Sequence, residues 1–134
     1  MHYLLDTDIC SYILKQRTPS LVRRFRQVGA SRIAVSVVTY AELRYGLARH
    51  TAISAEKMDA FQFFMEEIQA MPWDIMAANH YATLRASLES AGTPLDAMDI
   101  MIAAHALALN ATLVSNNTRH FKRIAHLKLE NWMN

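Results

Sequence analysis

The feature that most constrains this chain is a rhythm. Short apolar runs end abruptly on oxygen-bearing side chains, and stretches of helical length separate them. Residues 2–5 close on Asp6-Thr7-Asp8, Ile33-Ala34-Val35 closes on Ser36, and 111–115 leads into Asn116-Asn117. Strands separated by helices cannot pair as hairpins; they form crossover units, hence a mostly parallel sheet with helices on both faces. The expected fold is therefore α/β, with a central sheet of four to five short strands flanked by helices. Met71-Pro72-Trp73 reads as an edge strand, because proline suits edges, and 127–129 as a last one. In such sheets, sites form beyond the carboxyl ends of the strands.

With only three glycines and three prolines, helices should dominate the rest. An apolar helical face (Ile9, Tyr12, Ile13) follows the first strand. Thr18-Pro19 marks a helix start, with a run to about Val28 and a stop at Gly29. Thr39 and Glu42 match a capping box opening a helix that continues to about Arg49. Met58, Phe61, Phe64, Met65 and Ile68 recur at helical spacing within 53–68 and read as core or a partner groove. Asp74 caps a long helix ending near Ala91 and Gly92. Pro94 leads another from about Asp96 to Leu109, ended by Asn110. No repeat, linker or low-complexity segment interrupts the pattern, so residues 1–134 are expected to form a single domain.

Composition closes several other routes. Apolar residues make up 52% and charged residues 19%, a globular balance. Apolar runs are too short and too interrupted to span a bilayer, and the N-terminus lacks the plan of a signal peptide. The lone Cys10 excludes an internal disulfide framework and an all-cysteine zinc site, so a reducing, cytoplasmic setting is expected. Net charge is only +2, but Lys15, Arg17, Arg23, Arg24 and Arg26 crowd one stretch and Arg119, Lys122 and Arg123 another. Two basic clusters apart from the acids suit a polyanionic partner.

Three acids fall where the sheet rule places chemistry. Asp6 follows the first strand, Glu42 lies in the first turn of the helix after the second, and Asp99 lies in the first turn of the helix before the fourth. Ser115-Asn116-Asn117 brings neutral oxygen ligands to the same edge. Each acid also has a capping role open to it, with Asp96 and Asp99 spaced as a cap and its third residue. Capping alone does not require that they gather. Carboxylates converging without a basic partner repel one another, and a hard divalent cation relieves that repulsion. An all-oxygen donor set suits Mg²⁺ or Mn²⁺ rather than zinc.

These residues carry a resemblance. Leu4-Leu5-Asp6-Thr7-Asp8 resembles the opening motif of PIN-domain ribonucleases. Residues 36–46, SVVTYAELRYG, resemble their second motif, with its glutamate at Glu42. Residues 92–107, GTPLDAMDIMIAAHAL, resemble the third, with its metal-binding aspartate at Asp99. LVSNNTRHF at 113–121 and the tail LKLENW complete the pattern, whose order, spacing and length match VapC toxins of type II toxin–antitoxin pairs. The resemblance implies a PIN fold and Mg²⁺-dependent endoribonuclease activity, with Mn²⁺ as a substitute. It also implies a VapB-type antitoxin, a homodimer within a larger toxin–antitoxin assembly, and DNA contact only through the antitoxin. Some such proteins cut the initiator tRNA in its anticodon loop, and this chain looks most like that enterobacterial kind.

In the mechanism expected of these residues, Asp6 and Asp99 hold the metal directly, and Glu42 binds it through water or orients the attacking water. Thr7 and Ser115 donate hydroxyl hydrogen bonds to the carboxylates. Arg17, Arg23 or Arg119 face RNA phosphates. The chain departs from the family at Asp8, often Asn; at Asp96, often Gly; at Asn117, often a fourth acid; and at His120, often acidic. Asn117 in place of an acid makes a weak ligand and favours one metal at rest, while Asp8 and Asp96 are expected to support caps. His105, mid-helix among alanines, reads as a packed or hydrogen-bonded histidine. A small metal-dependent phosphatase built on Asp6 and Asp8, and a non-catalytic dimeric binding module, remain the alternatives.

Overall fold

A computed structural model describes residues 1–50 and 52–133. In chain order the elements are β1 (Tyr3–Leu5), α1 (Thr7–Lys15), α2 (Pro19–Val28), a 3-10 turn (Ala30–Arg32), β2 (Ile33–Ser36), α3 (Val37–Ala48) and α4 (Ala55–Glu67). There follow β3 (Gln69–Met71), α5 (Ile75–Ser90), α6 (Ala97–Leu109), β4 (Thr112–Val114), α7 (Thr118–Phe121) and β5 (Leu129–Glu130). The strands form one sheet in the order β3-β2-β1-β4-β5, every pair parallel. The sheet is thus the crossover architecture that the alternation of strands and helices dictates. No helix among the described residues is long and apolar enough to cross a membrane.

Strand alternation sorts the core into two layers. Tyr3, Leu5, Ile33, Val35 and Val114 meet α1, α2, α3 and α4 through Ile9, Ile13, Leu21, Leu43, Phe61 and Phe64. Leu4, Ala34 and Leu113 face the opposite way, against Ile102, Ala103 and Ala106 of α6 and Leu88 of α5. Both faces of the central strands are therefore buried, which is why β1 reads as a continuous apolar run rather than an alternating one. Each fully buried Leu or Ile contributes on the order of 1.5–3 kcal/mol. Phe61 and Phe64 belong to this core, as their spacing predicts, whereas Phe63 between them is exposed. Cys10 is wholly buried, and burial, with Asp6 adding to it, pushes its thiol well up.

Three sequence expectations shift in place. The third strand ends at Met71 rather than including Pro72 and Trp73, because proline cannot donate to a ladder; the strand does lie at the sheet edge. The last strand is Leu129–Glu130, displaced toward the C-terminus from 127–129. The capping box at Thr39 and Glu42 does not form. Ser36, the last residue of β2, caps α3 by accepting the Val38 N–H at 3.1 Å, which carries Thr39 inside the helix and Glu42 beyond its first turn. The four-residue α7 and the 3-10 turn at Ala30–Arg32 were not foreshadowed by any sequence signal.

Candidate active site at the carboxyl edge of the sheet

The site grows from helix starts. Asp6 ends β1 and caps α1, its Oδ1 accepting the Ile9 N–H at 2.9 Å. Ser36 does the same between β2 and α3, and Asn117 stands at the N-cap position of α7 after β4. α6 precedes its strand rather than following one: its C-terminus feeds the start of β4, so its N-terminus also lies at the rim. Asp96 caps it through the Met98 N–H at 3.1 Å, as expected, with Asp99 in its first turn. Four helix N-termini thus turn their positive ends toward one edge, offsetting part of the acid charge there. Asp8, by contrast, accepts no capping bond; it is an exposed acid in the first turn of α1.

The electrostatics record the convergence. Asp6, only 6% exposed, has its carboxyl raised to about 6; burial is the main cause, the Ser115 hydroxyl and the Ile9 N–H pull it back, and Asp8 and Asp99 push it further. Asp99 is likewise raised to about 6, by burial first and then by Asp96, Glu42 and Asp8, with His120 opposing. The chief influences on these two carboxyls include neither Lys nor Arg. Five carboxylates from three elements, far apart in sequence, therefore feel one another across the rim.

Hydroxyls hold Glu42 in place. Thr7 Oγ1 donates to Glu42 Oε1 at 2.5 Å and shares a 3.2 Å hydrogen bond with the buried Thr39 hydroxyl. This ties the first turn of α1 to α3. Thr7 and Ser115 are thus placed against Glu42 and Asp6 respectively. The sequence reads Thr39 as a cap and Ser36 as a strand boundary; a small hydroxyl residue at such junctions looks alike whether it caps or connects. Among the described residues, no three His, Cys, Asp or Glu side chains stand close enough to form a ready-made cation cage. The donors are nonetheless suited to a hard cation: all are oxygen, and two carboxyls are already reluctant to ionise.

Other candidates lie elsewhere. The Asn117 amide is turned to His120, Nδ2 to Nδ1 at 2.9 Å, with its backbone N–H on Ser115 Oγ at 2.9 Å. Arg119 stands two residues further along α7, exposed near the rim. Arg17 and Arg23 are not there. α1 starts at the rim and runs its nine residues, about 14 Å, away from it, so Arg17 falls past the far end. Arg23 lines an open basin of about 660 Å³ on α2 with Arg26, Gln16 and Gln27. His105 is buried on α6 with Nδ1 2.8 Å from Ser36 Oγ, hydrogen-bonded as expected; burial pulls its imidazole below the ordinary range, against the nearby Asp74 and the Pro72 carbonyl.

An acid-lined carboxyl edge on a parallel sheet is the arrangement the PIN resemblance implied, and the family profile "PIN domain" matches residues 3–127. Ribonuclease VapC2 of Rickettsia felis is 35% identical over 133 residues, covering 98% of both chains. The tRNA(fMet)-specific endonuclease VapC of Shigella flexneri is 33% identical over 132 residues, again covering 98% of each. The DNA-bound VapBC structure from Salmonella typhimurium superposes with a TM-score of 0.90 at 32% identity, covering 98% of both chains. The chain belongs to the PIN-domain family, among its VapC ribonucleases.

Proposed function

We propose that this chain is a single-domain, divalent-metal-dependent endoribonuclease of the cytoplasm, held inactive by a VapB-type antitoxin, that stops translation by cutting initiator tRNA. The observation that carries the reading is the pair Asp6 and Asp99, both raised to about 6 at one edge with neither Lys nor Arg among the chief groups acting on them. The similarity to a tRNA(fMet)-specific endonuclease supports the substrate, and that to a DNA-bound VapBC complex supports the antitoxin and DNA contact through it. A homodimer within that assembly completes the proposal.

Asp6 and Asp99 are the residues that would hold Mg²⁺ or Mn²⁺, with Glu42 adjoining, directly or across a water. The cation supplies Lewis-acid activation of water and of the phosphoryl oxygens. Thr7 pins Oε1 of Glu42 and leaves Oε2 free to accept a proton from, and so orient, the attacking water. The Ser115 hydroxyl restrains Asp6. Arg119 draws a phosphate of the strand toward the rim, and the helix N-termini favour the same anion. Asn117, engaged with His120, adds at most a neutral oxygen, which favours a single ion at rest.

The test is incubation of the purified chain with total RNA and Mg²⁺ or Mn²⁺, with new 5′ ends mapped. Cuts confined to the anticodon loop of initiator tRNA, abolished by chelator and lowered about 10³-fold or more by Asp99→Asn, are expected. Full cleavage by Asp99→Asn, or cleavage indifferent to chelator, would overturn the reading.

A further inference from the structure

α6 carries Asp99, yet half of its buried residues are alanines, Ala103, Ala104 and Ala106, beside Ile100, Ile102 and His105. Alanine permits close approach but leaves few knobs to stop a helix sliding or turning about its axis. Directional contacts must set its register. Among the described residues two side-chain hydrogen bonds tie it to other elements: Trp73 Nε1 donates to the Met101 carbonyl at 3.0 Å, and His105 Nδ1 meets Ser36 Oγ at 2.8 Å. Ser36 Oγ already accepts the Val38 N–H, so its own proton is free for Nδ1, and the network assigns the Nε2–H tautomer.

Both partners of this bond are buried, at 1% and 0% exposure, so an unmatched polar atom would be costly and the bond is strongly directional. Ser36 starts α3, the helix that carries Glu42 six residues on, and Asp99 lies six residues before His105. On α6 that is roughly 9 Å along the axis and on a different side of the helix, so the imidazole does not touch the acids. It joins the two helices that present them.

We infer that His105, through Ser36, is a positioning residue for RNA cleavage: the bond fixes α6 against the start of α3 and so sets the placement of Asp99 relative to Glu42. The inference rests on the acid-centred reading above. A shift of an ångström in a catalytic group costs up to about a hundredfold in rate.

The experiment compares purified His105→Leu, His105→Asn, Ser36→Ala and the double variant Ser36→Ala/His105→Leu with the wild-type chain. All are assayed well below their melting temperatures, with Asp99→Asn alongside. His105→Leu should lower kcat about tenfold or more and leave KM within about twofold, since RNA binding does not use the bond. Asn, whose Oδ1 stands where Nδ1 does, should recover most of that loss, which a filled but apolar position does not. The double variant should be no slower than the slower single variant, the mark of one shared contact. If His105→Leu does not fold, His105→Gln, which reaches toward Pro72 but not to Ser36, takes its place with the same expected fall in kcat. A folded Leu or Gln variant with unchanged kcat, or additive losses in the double variant, overturns the inference even when Asp99→Asn is inactive. An active Asp99→Asn would instead overturn the acid-centred reading beneath it.

Discussion

The carboxyl edge of the sheet and the outer surface of α2 hold the two kinds of charge in opposite manners. At the edge, acids are partly buried, mutually repelling and tied to hydroxyls and helix starts. On α2, Arg23 and Arg26 border an open basin and are exposed to solvent. Charge that is held against its preference does work on a bound ion or a scissile bond, whereas charge on a solvated surface only attracts. On the function proposed above, chemistry belongs to the first region and, at most, non-specific attraction to the second.

Asp6→Asn breaks the contrast most sharply. Asparagine keeps the N-cap of α1 and removes the charge, so cleavage should fall about 10³-fold while the fold persists. Stability should move the opposite way. A carboxyl raised from 3.8 to about 6 on folding binds its proton more tightly in the native state. Its contribution is complete below about pH 4 and is lost as pH rises through about 6. The wild-type melting temperature, measured without divalent ions, should therefore carry a falling component over that window which Asp6→Asn lacks. At pH 7 the variant should be the more stable by on the order of 2–3 kcal/mol. Added Mn²⁺ should raise the wild-type melting temperature and leave the variant's nearly unmoved.

Thr7→Val tests the hydroxyl tether. It keeps shape but releases Glu42 Oε1, and kcat should drop about tenfold with little change in KM. The smallest effect separates the basic residues. Arg119→Ala should raise KM for RNA a few-fold, in keeping with an exposed phosphate contact, while Arg23→Ala should change neither parameter measurably on a short anticodon stem-loop.

Most of the fold was legible because both faces of β1, β2 and β4 are covered, so their apolar runs stand out against helical stretches with plain stop signals at Gly29, Gly92 and Asn110. Asp6 can be placed at the carboxyl edge for the same reason, whereas element order alone does not bring Asp99 there, because its helix precedes its strand. For Glu42 the spacing misleads about its neighbour. Thr39 and Glu42 have capping-box spacing, yet Ser36 sits three residues earlier and takes the helix start directly from the strand, leaving no linker to betray it. The coupling of Asp99 with Glu42 and Asp8, and the bond from His105 to Ser36, span residues that only the folded chain brings together. The departure at Asn117 could be seen in the sequence; that its amide would turn to His120 could not.

The position of β1 in the middle of the sheet has a consequence for biosynthesis. Its neighbours are β2 and β4, so the first strand to be translated keeps one flank open until residues 112–114 have been made. Such long-range pairing comes late, after most of the polypeptide has emerged. Ser115, which steadies Asp6, arrives later still. The carboxyl edge therefore takes its final shape only once β4 has joined the sheet and brought Ser115 beside Asp6.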